Sequence, residues 1–121
     1  MEEFIFEKLE VWQKSKVLVS KIYRLIESLP SFEKFSLCDQ IRRAAISIVS
    51  NIAEGSGRSS VKEKVHFIEI AYGSLMEVYC QLLIAPELGY ISESEVKGLR
   101  EEFIEIAKML SGWRQNLKNK L

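Results

Sequence analysis

The chain has 121 residues, 47% of them apolar and 28% charged, and its 17 basic and 17 acidic side chains leave a formal net charge of zero. That length suits one domain, and electroneutrality removes the simplest case for nucleic-acid binding, a strongly basic chain. No apolar run approaches the ~20 residues of a membrane span, and MEEFIFEKLEVW at the N-terminus carries acids where a secretory leader carries Lys or Arg, so a cytoplasmic location is expected.

Val11, Trp12, Leu18, Val19, Ile22, Tyr23, Leu25, Ile26 and Leu29 recur at helical spacing and predict a first helix over 7–28. Pro30 ends it, because proline disfavours helical geometry in the residue before it. Ser36 with Asp39 reads as a variant capping box opening a second helix over 37–55, where Leu37, Ile41, Ala44, Ala45, Ile48 and Ile52 share a face. Ser60 with Glu63 opens a third over 60–88, striped by Ile68, Ala71, Tyr72, Leu75, Val78, Tyr79 and Leu82. Ile70, Cys80 and Ile84 add apolar surface elsewhere on this helix, and such a helix is normally covered on two sides. Pro86 is expected to loosen its last turn, and Gly89 suits the position just past its end. Ser92 with Glu95 opens a fourth helix over 93–119, with Val96, Leu99, Phe103, Ile106, Ala107, Leu110, Trp113 and Leu117 on one side. Nothing alternates as a strand does. The expected fold is all-α: one domain over 1–121, an antiparallel up-down-up-down four-helix bundle, since short connections make successive helices antiparallel neighbours.

The densest stretch is SIVSNIAEGSGRSS, residues 47–60. Gly55 and Gly57 are expected to supply positive φ and end the second helix, with Ser59 or Ser60 capping the third. Gln40, Arg43, Ser47, Asn51 and Glu54 recur on one helical line, and His66, Gly73, Ser74, Glu77 and Gln81 make a line on the third helix. Face to face, the two lines form a partly buried network that fixes register, because buried polar groups must satisfy one another. Arg43 would then pair with Glu54, Glu77 or Glu69. The other outcome is a solvated face.

Catalytic chemistry is thin. There is one histidine and no Glu-x-x-His pair of the di-iron kind. Cys38 and Cys80 lack CxxC spacing and are expected to be buried small hydrophobes. GSGR, with Arg58 and Lys62 nearby, resembles a phosphate-cradling helix start but lacks the preceding strand and Walker lysine. No metal, no cofactor and no enzymatic activity are expected.

Charge is uneven locally. Residues 34–58 and 7–28 each carry a surplus of two basic groups, residues 59–91 a surplus of two acids, and the stretch from Lys108 onward has no acid. Basic groups sharing one side would make a phosphate footprint, salt-sensitive and sequence-tolerant, and a symmetric oligomer would multiply it.

FEKLEVWQKSKVLVSKIYRLIESLP, then LCDQIRRAAISIVSNIAEGSGR and FIEIAYGSLMEVYCQLLIAPELGYIS, resembles the bacterial four-helix-bundle family found in intervening sequences of 23S ribosomal RNA genes. The resemblance runs from about Phe6 to Trp113 and is densest over QIRRAAISIVSNIAEGSGR; Pro86 departs from it. It implies a cytosolic four-helix bundle assembling as a homopentamer, with kinship to accessory proteins of diversity-generating retroelements, which are basic pentameric bundles that bind nucleic acid. The family motif maps onto Gln40, Arg42, Arg43, Ser47, Asn51, Glu54, Gly55, Gly57 and Arg58, without assigned roles. The surplus apolar surface of the third helix, Gly73 beside Ser74, and the edge Ile46, Val49 and Ala53 suit an oligomer interface. The expectation is a non-enzymatic oligomer that meets structured RNA, rRNA or other nucleic acid, through Arg42, Arg43, Arg58, Lys62, Lys14 and Lys21. The alternative is a scaffold for a protein partner, for which Glu101, Glu102 and Glu105 offer an acidic patch.

Overall fold

The computed structural model describes residues 2–121. Among them the secondary structure is helical throughout, with no strand: α1 Ile5–Lys8, α2 Glu10–Ile26, a 3-10 turn Ser31–Glu33, α3 Leu37–Ser56, α4 Val61–Glu87, α5 Glu93–Lys97 and α6 Arg100–Lys118. The four long helices enclose one core, α3 packing on α2 and α4, and α6 on α4 and α2. Leu18 and Ile22 of α2, Ile41, Ile48 and Ile52 of α3, Ile68, Leu75 and Leu82 of α4, and Ile106 and Leu110 of α6 are fully buried. Each such side chain contributes about 1.5–3 kcal/mol relative to exposure. The 3.6-residue stripes therefore point where the periodicity placed them.

Two of the expected helices are broken. The first divides at Leu9, which is extended and caps both α1 and α2. Tertiary contacts hold the break: the Gln13 amide donates to the Glu7 carbonyl at 2.7 Å, and Phe6 meets Trp12 edge-on at 4.9 Å. The fourth divides after Gly98, where glycine's low helix propensity coincides with the end of α5.

The caps differ as well. Ser60 accepts from the Glu63 N–H, and Ser92 with Glu95 completes a full capping box. The backbone N–H of Ser92, then its hydroxyl, hold the Glu95 carboxyl below its usual value. That interaction stabilises the fold above the ordinary carboxylate range and is lost as pH falls through the lowered value. Ser36 makes no side-chain cap; instead the Leu37 N–H reaches the Glu33 carboxylate at 3.4 Å, a favourable place for an anion.

Pro86 lies inside α4, which runs one residue beyond it. The end is tied off by Gly89 at φ 76, with Gly89 N–H on the Pro86 carbonyl and Tyr90 N–H on the Ala85 carbonyl, a Schellman closure. Gly89 is the single positive φ among the described residues. Gly57 is right-handed at φ −90 and Gly55 lies within α3, so neither ends the helix by left-handed geometry. Gly55 serves approach: a Cβ there would sit 3.1 Å from the Phe67 Cβ of α4. Gly55→Val should therefore lower stability by roughly 1–3 kcal/mol. Gly112→Ala, where an added Cβ meets nothing within 4 Å, should raise it by up to ~1 kcal/mol. Urea unfolding midpoints read both.

α4 is long and apolar enough, by length and composition, to cross a membrane, and 39% of its most apolar window is buried. Counting uninterrupted apolar runs missed this. α4 is nonetheless bonded into the chain through polar side chains, Ser74 and Gln81, that face α3.

Candidate nucleic-acid interface

The motif at 40–58 is mainly a seam between α3 and α4. Ser47 and Ser74 hydroxyls meet at 2.7 Å. The Asn51 amide donates back to the Ser47 carbonyl and hydroxyl at 2.8 and 2.9 Å. The Gln81 amide donates to Gln40 at 3.2 Å and to Glu77 at 3.3 Å. Much of the expected facing network thus exists. Arg43 stands outside it, exposed and paired with Asp39 one turn back at 2.9 Å rather than with Glu54, Glu77 or Glu69. Glu54 instead takes Arg58 at 2.8 Å, and the Arg58 guanidinium also lies over the Phe67 ring. Lys64 closes the end of α3 by donating to the Ser56 carbonyl at 3.0 Å, the favourable site for a cation. Gly57 is exposed in the connection.

The basic residues divide sharply by partner. On the side of α2 that faces α6, Lys14 is bound by Glu105, whose hydrogen bond and charge raise the lysine pKa. Lys21 donates to Glu102 at 2.6 Å on that same side. Arg43 and Arg58 are each held by an acid four residues earlier in the chain. Lys62 is exposed and unpaired, but lies in the first turn of α4, at the far end of α3 from Arg42. Arg42 makes no ion pair; its guanidinium donates to the Lys34 carbonyl at 2.8 Å. Four of the six expected phosphate contacts are thus already matched by carboxylates.

The side of α2 toward α3 presents a different surface. Lys16, Val19, Ser20, Tyr23 and Arg24, with Ile46 of α3, line a shallow groove of about 490 Å³ that contains no acidic side chain. Neither Lys16 nor Arg24 forms an ion pair. The Lys16 ammonium sits 5.2 Å from the Trp12 ring centre. Lys16, Ser20 and Arg24 follow one another at four-residue steps, so they stand in line along the helix. On α3, Arg42 lies one turn before Ile46. The sequence carried a usable signal: Lys14, Arg43 and Arg58 each have an acid at i−4, and Lys16, Arg24 and Arg42 have none.

A second exposed feature lies on α4. Ile70, Met76, Leu83, Ile84 and Leu88 are exposed, Leu83 to 50%, and Gly73 and Cys80 between them are also at the surface. Cys38 is buried as expected, and burial pushes its thiol pKa up; Cys80 is exposed, contrary to expectation. Among the described residues no His, Cys, Asp or Glu side chains gather in a group that could hold a metal ion.

A family model described as 23S rRNA-intervening sequence protein matches residues 7–112. The chain belongs to that family. Gln40, Ser47, Asn51 and Gly55 all lie where α3 meets α4. A crystal structure of a protein of unknown function from the S23 ribosomal protein family of Bacteroides thetaiotaomicron has the same fold, with a TM-score of 0.76 and 23% identity, covering 86% of this chain and 97% of that one. No curated protein matches the chain. No enzymatic family is indicated for this intervening-sequence protein.

Proposed function

We propose that this member of the 23S rRNA-intervening sequence protein family is a non-enzymatic, homo-oligomeric four-helix bundle that holds structured RNA by its phosphates along the α2–α3 groove. An antiparallel α3–α4 pair, as the up-down-up-down arrangement requires, is supported by the pairing of Gln40 with Gln81, Ser47 with Ser74 and Gly55 with Lys64, in which one partner's number rises as the other's falls. The observation that carries the binding proposal is the acid-free groove itself. In a chain of zero net charge, Lys16 and Arg24, two turns apart on α2, line it beside Tyr23 without a carboxylate. Phosphate contacts need only such a row of cations. Oligomerisation, with the pentamer as the expected closed ring, is supported by the α4 strip, whose apolar side chains have no partner within one chain. The family's name points to RNA as the first partner to try.

The test is a gel-shift titration with a 23S rRNA intervening-sequence transcript at low and physiological salt. Retardation that weakens steeply with salt is expected; none at low salt, or retardation indifferent to salt, defeats the proposal. The same α4 strip favours a second reading, a scaffold for a protein partner. A protein co-purifying in fixed stoichiometry, with no nucleic-acid absorbance, would establish that instead.

A further inference from the structure

The segment joining α2 and α3 holds two of the most exposed aromatic rings in the chain. Phe32 is 74% and Phe35 84% exposed. Phe32 is braced from one side by Tyr90, edge-on at 6.1 Å. The Lys34 ammonium stands 5.4 Å from the Phe35 ring centre. The segment is shaped rather than loose. It contains the 3-10 turn, Arg42 grips its Lys34 carbonyl, and Glu33 accepts from the Tyr90 hydroxyl at 2.7 Å. Two large apolar rings kept in water on a braced turn are unfavourable for the isolated chain.

The surrounding charges select the occupant. Asp39 is paired with Arg43; Glu33 keeps its charge but is turned to the Tyr90 hydroxyl and the Leu37 N–H, and Glu27 stands exposed at the end of α2. The cations, Lys34 and Arg42, have no carboxylate. Aromatic faces beside free cations are the combination that binds unpaired nucleotides, since bases stack on the rings and the backbone follows the charge.

The geometry points to Phe32 and Phe35 as a stacking platform for unpaired bases, placed so that a strand leaving a helical RNA stem in the α2–α3 groove lays its bases on the two rings while Lys34 and Arg42 take its phosphates. This rests on the proposed use of the groove and names its partner more closely: RNA with a single-stranded loop or end beside a stem.

The experiment compares a short single-stranded RNA with a blunt RNA duplex of equal length, both end-labelled and read by fluorescence anisotropy with the full chain. Replacing both rings, Phe32→Ala with Phe35→Ala, should weaken the single strand by about 10-fold or more and leave the duplex and the salt slope of both probes unchanged, because no charge is altered. Phe35→Trp should retain or improve single-strand affinity. Unchanged single-strand affinity, or equal loss on both probes, overturns the platform while the wild-type duplex titration keeps the groove. Wild-type failure on both probes overturns platform and groove together. If the double variant lowers the mass of the assembly, the rings are a contact between copies, and the platform is overturned.

Discussion

Replacing Lys16 and Arg24 together with glutamine will weaken binding of duplex RNA by roughly 100-fold at ~50 mM salt and roughly 10-fold at ~150 mM, and will lower the slope of log affinity against log salt by about 2. These magnitudes follow from counterion release. Each lost phosphate contact removes about 0.9 from the salt slope of a B-form helix, so the loss grows as salt is diluted. The control is Lys14→Gln with Lys21→Gln, which removes the same two charges from the same helix. Those lysines face α6 and are held by Glu105 and Glu102, so their loss frees two acids and removes no contact in the groove. If both pairs of substitutions reduce affinity equally, binding follows the total charge of the chain, and the groove is not the site. All four positions are on the surface or half-buried, and far-UV circular dichroism of both variants should match that of the parent.

Introducing Glu at Ile70 and Ile84 should convert the proposed oligomer to a 14.0 kDa monomer in sedimentation equilibrium while leaving the helices intact. Both side chains are exposed on α4 within one chain, so a carboxylate there costs the isolated fold little. In an assembly that buries the strip, each substitution forfeits burial of the 36% or 45% of the side chain still exposed, about 1 kcal/mol, and also places an unpaired charge in an apolar seam, which costs several kcal/mol more. Repeated around a closed ring, that loss exceeds what a marginal interface can bear. Parent and variant sedimenting at one mass would remove the α4 strip as the subunit contact. Gly73, where an added Cβ meets open space, allows a graded test on the same face: Gly73→Leu adds bulk without charge and should weaken association less than the two glutamates.

The long helices and their buried faces were legible because helical periodicity and burial share one cause: Leu18, Ile48, Leu75 and Leu110 recur at the spacing that turns each toward the common core. The breaks at Leu9 and Gly98 were not. At Leu9 the interruption is held by Phe6 on Trp12 and by Gln13 on Glu7, contacts that exist only after the chain has folded back. Gly55 was noticed for the wrong reason. A glycine read in isolation suggests a left-handed turn, and only the approach of Phe67 shows that it is there to remain small. The cations were visible one by one, but a basic residue is available to phosphate only if no carboxylate already holds it. For Lys21 that depends on Glu102, 81 positions away. The acids at i−4 of Lys14, Arg43 and Arg58 could have been weighed from the start, since such pairs attract within a single helix.

The separation of α2 into a neutralised flank and a bare one bears on how quickly a polyanion is captured. A molecule of zero formal charge has no monopole with which to draw RNA from beyond a Debye length, about 8 Å at physiological ionic strength. What remains is a local dipole, felt only when the bare flank already faces the ligand. Encounter should then proceed at the unsteered pace of about 10⁵–10⁷ M⁻¹s⁻¹. Capture would depend on orientation at close range rather than on attraction from a distance.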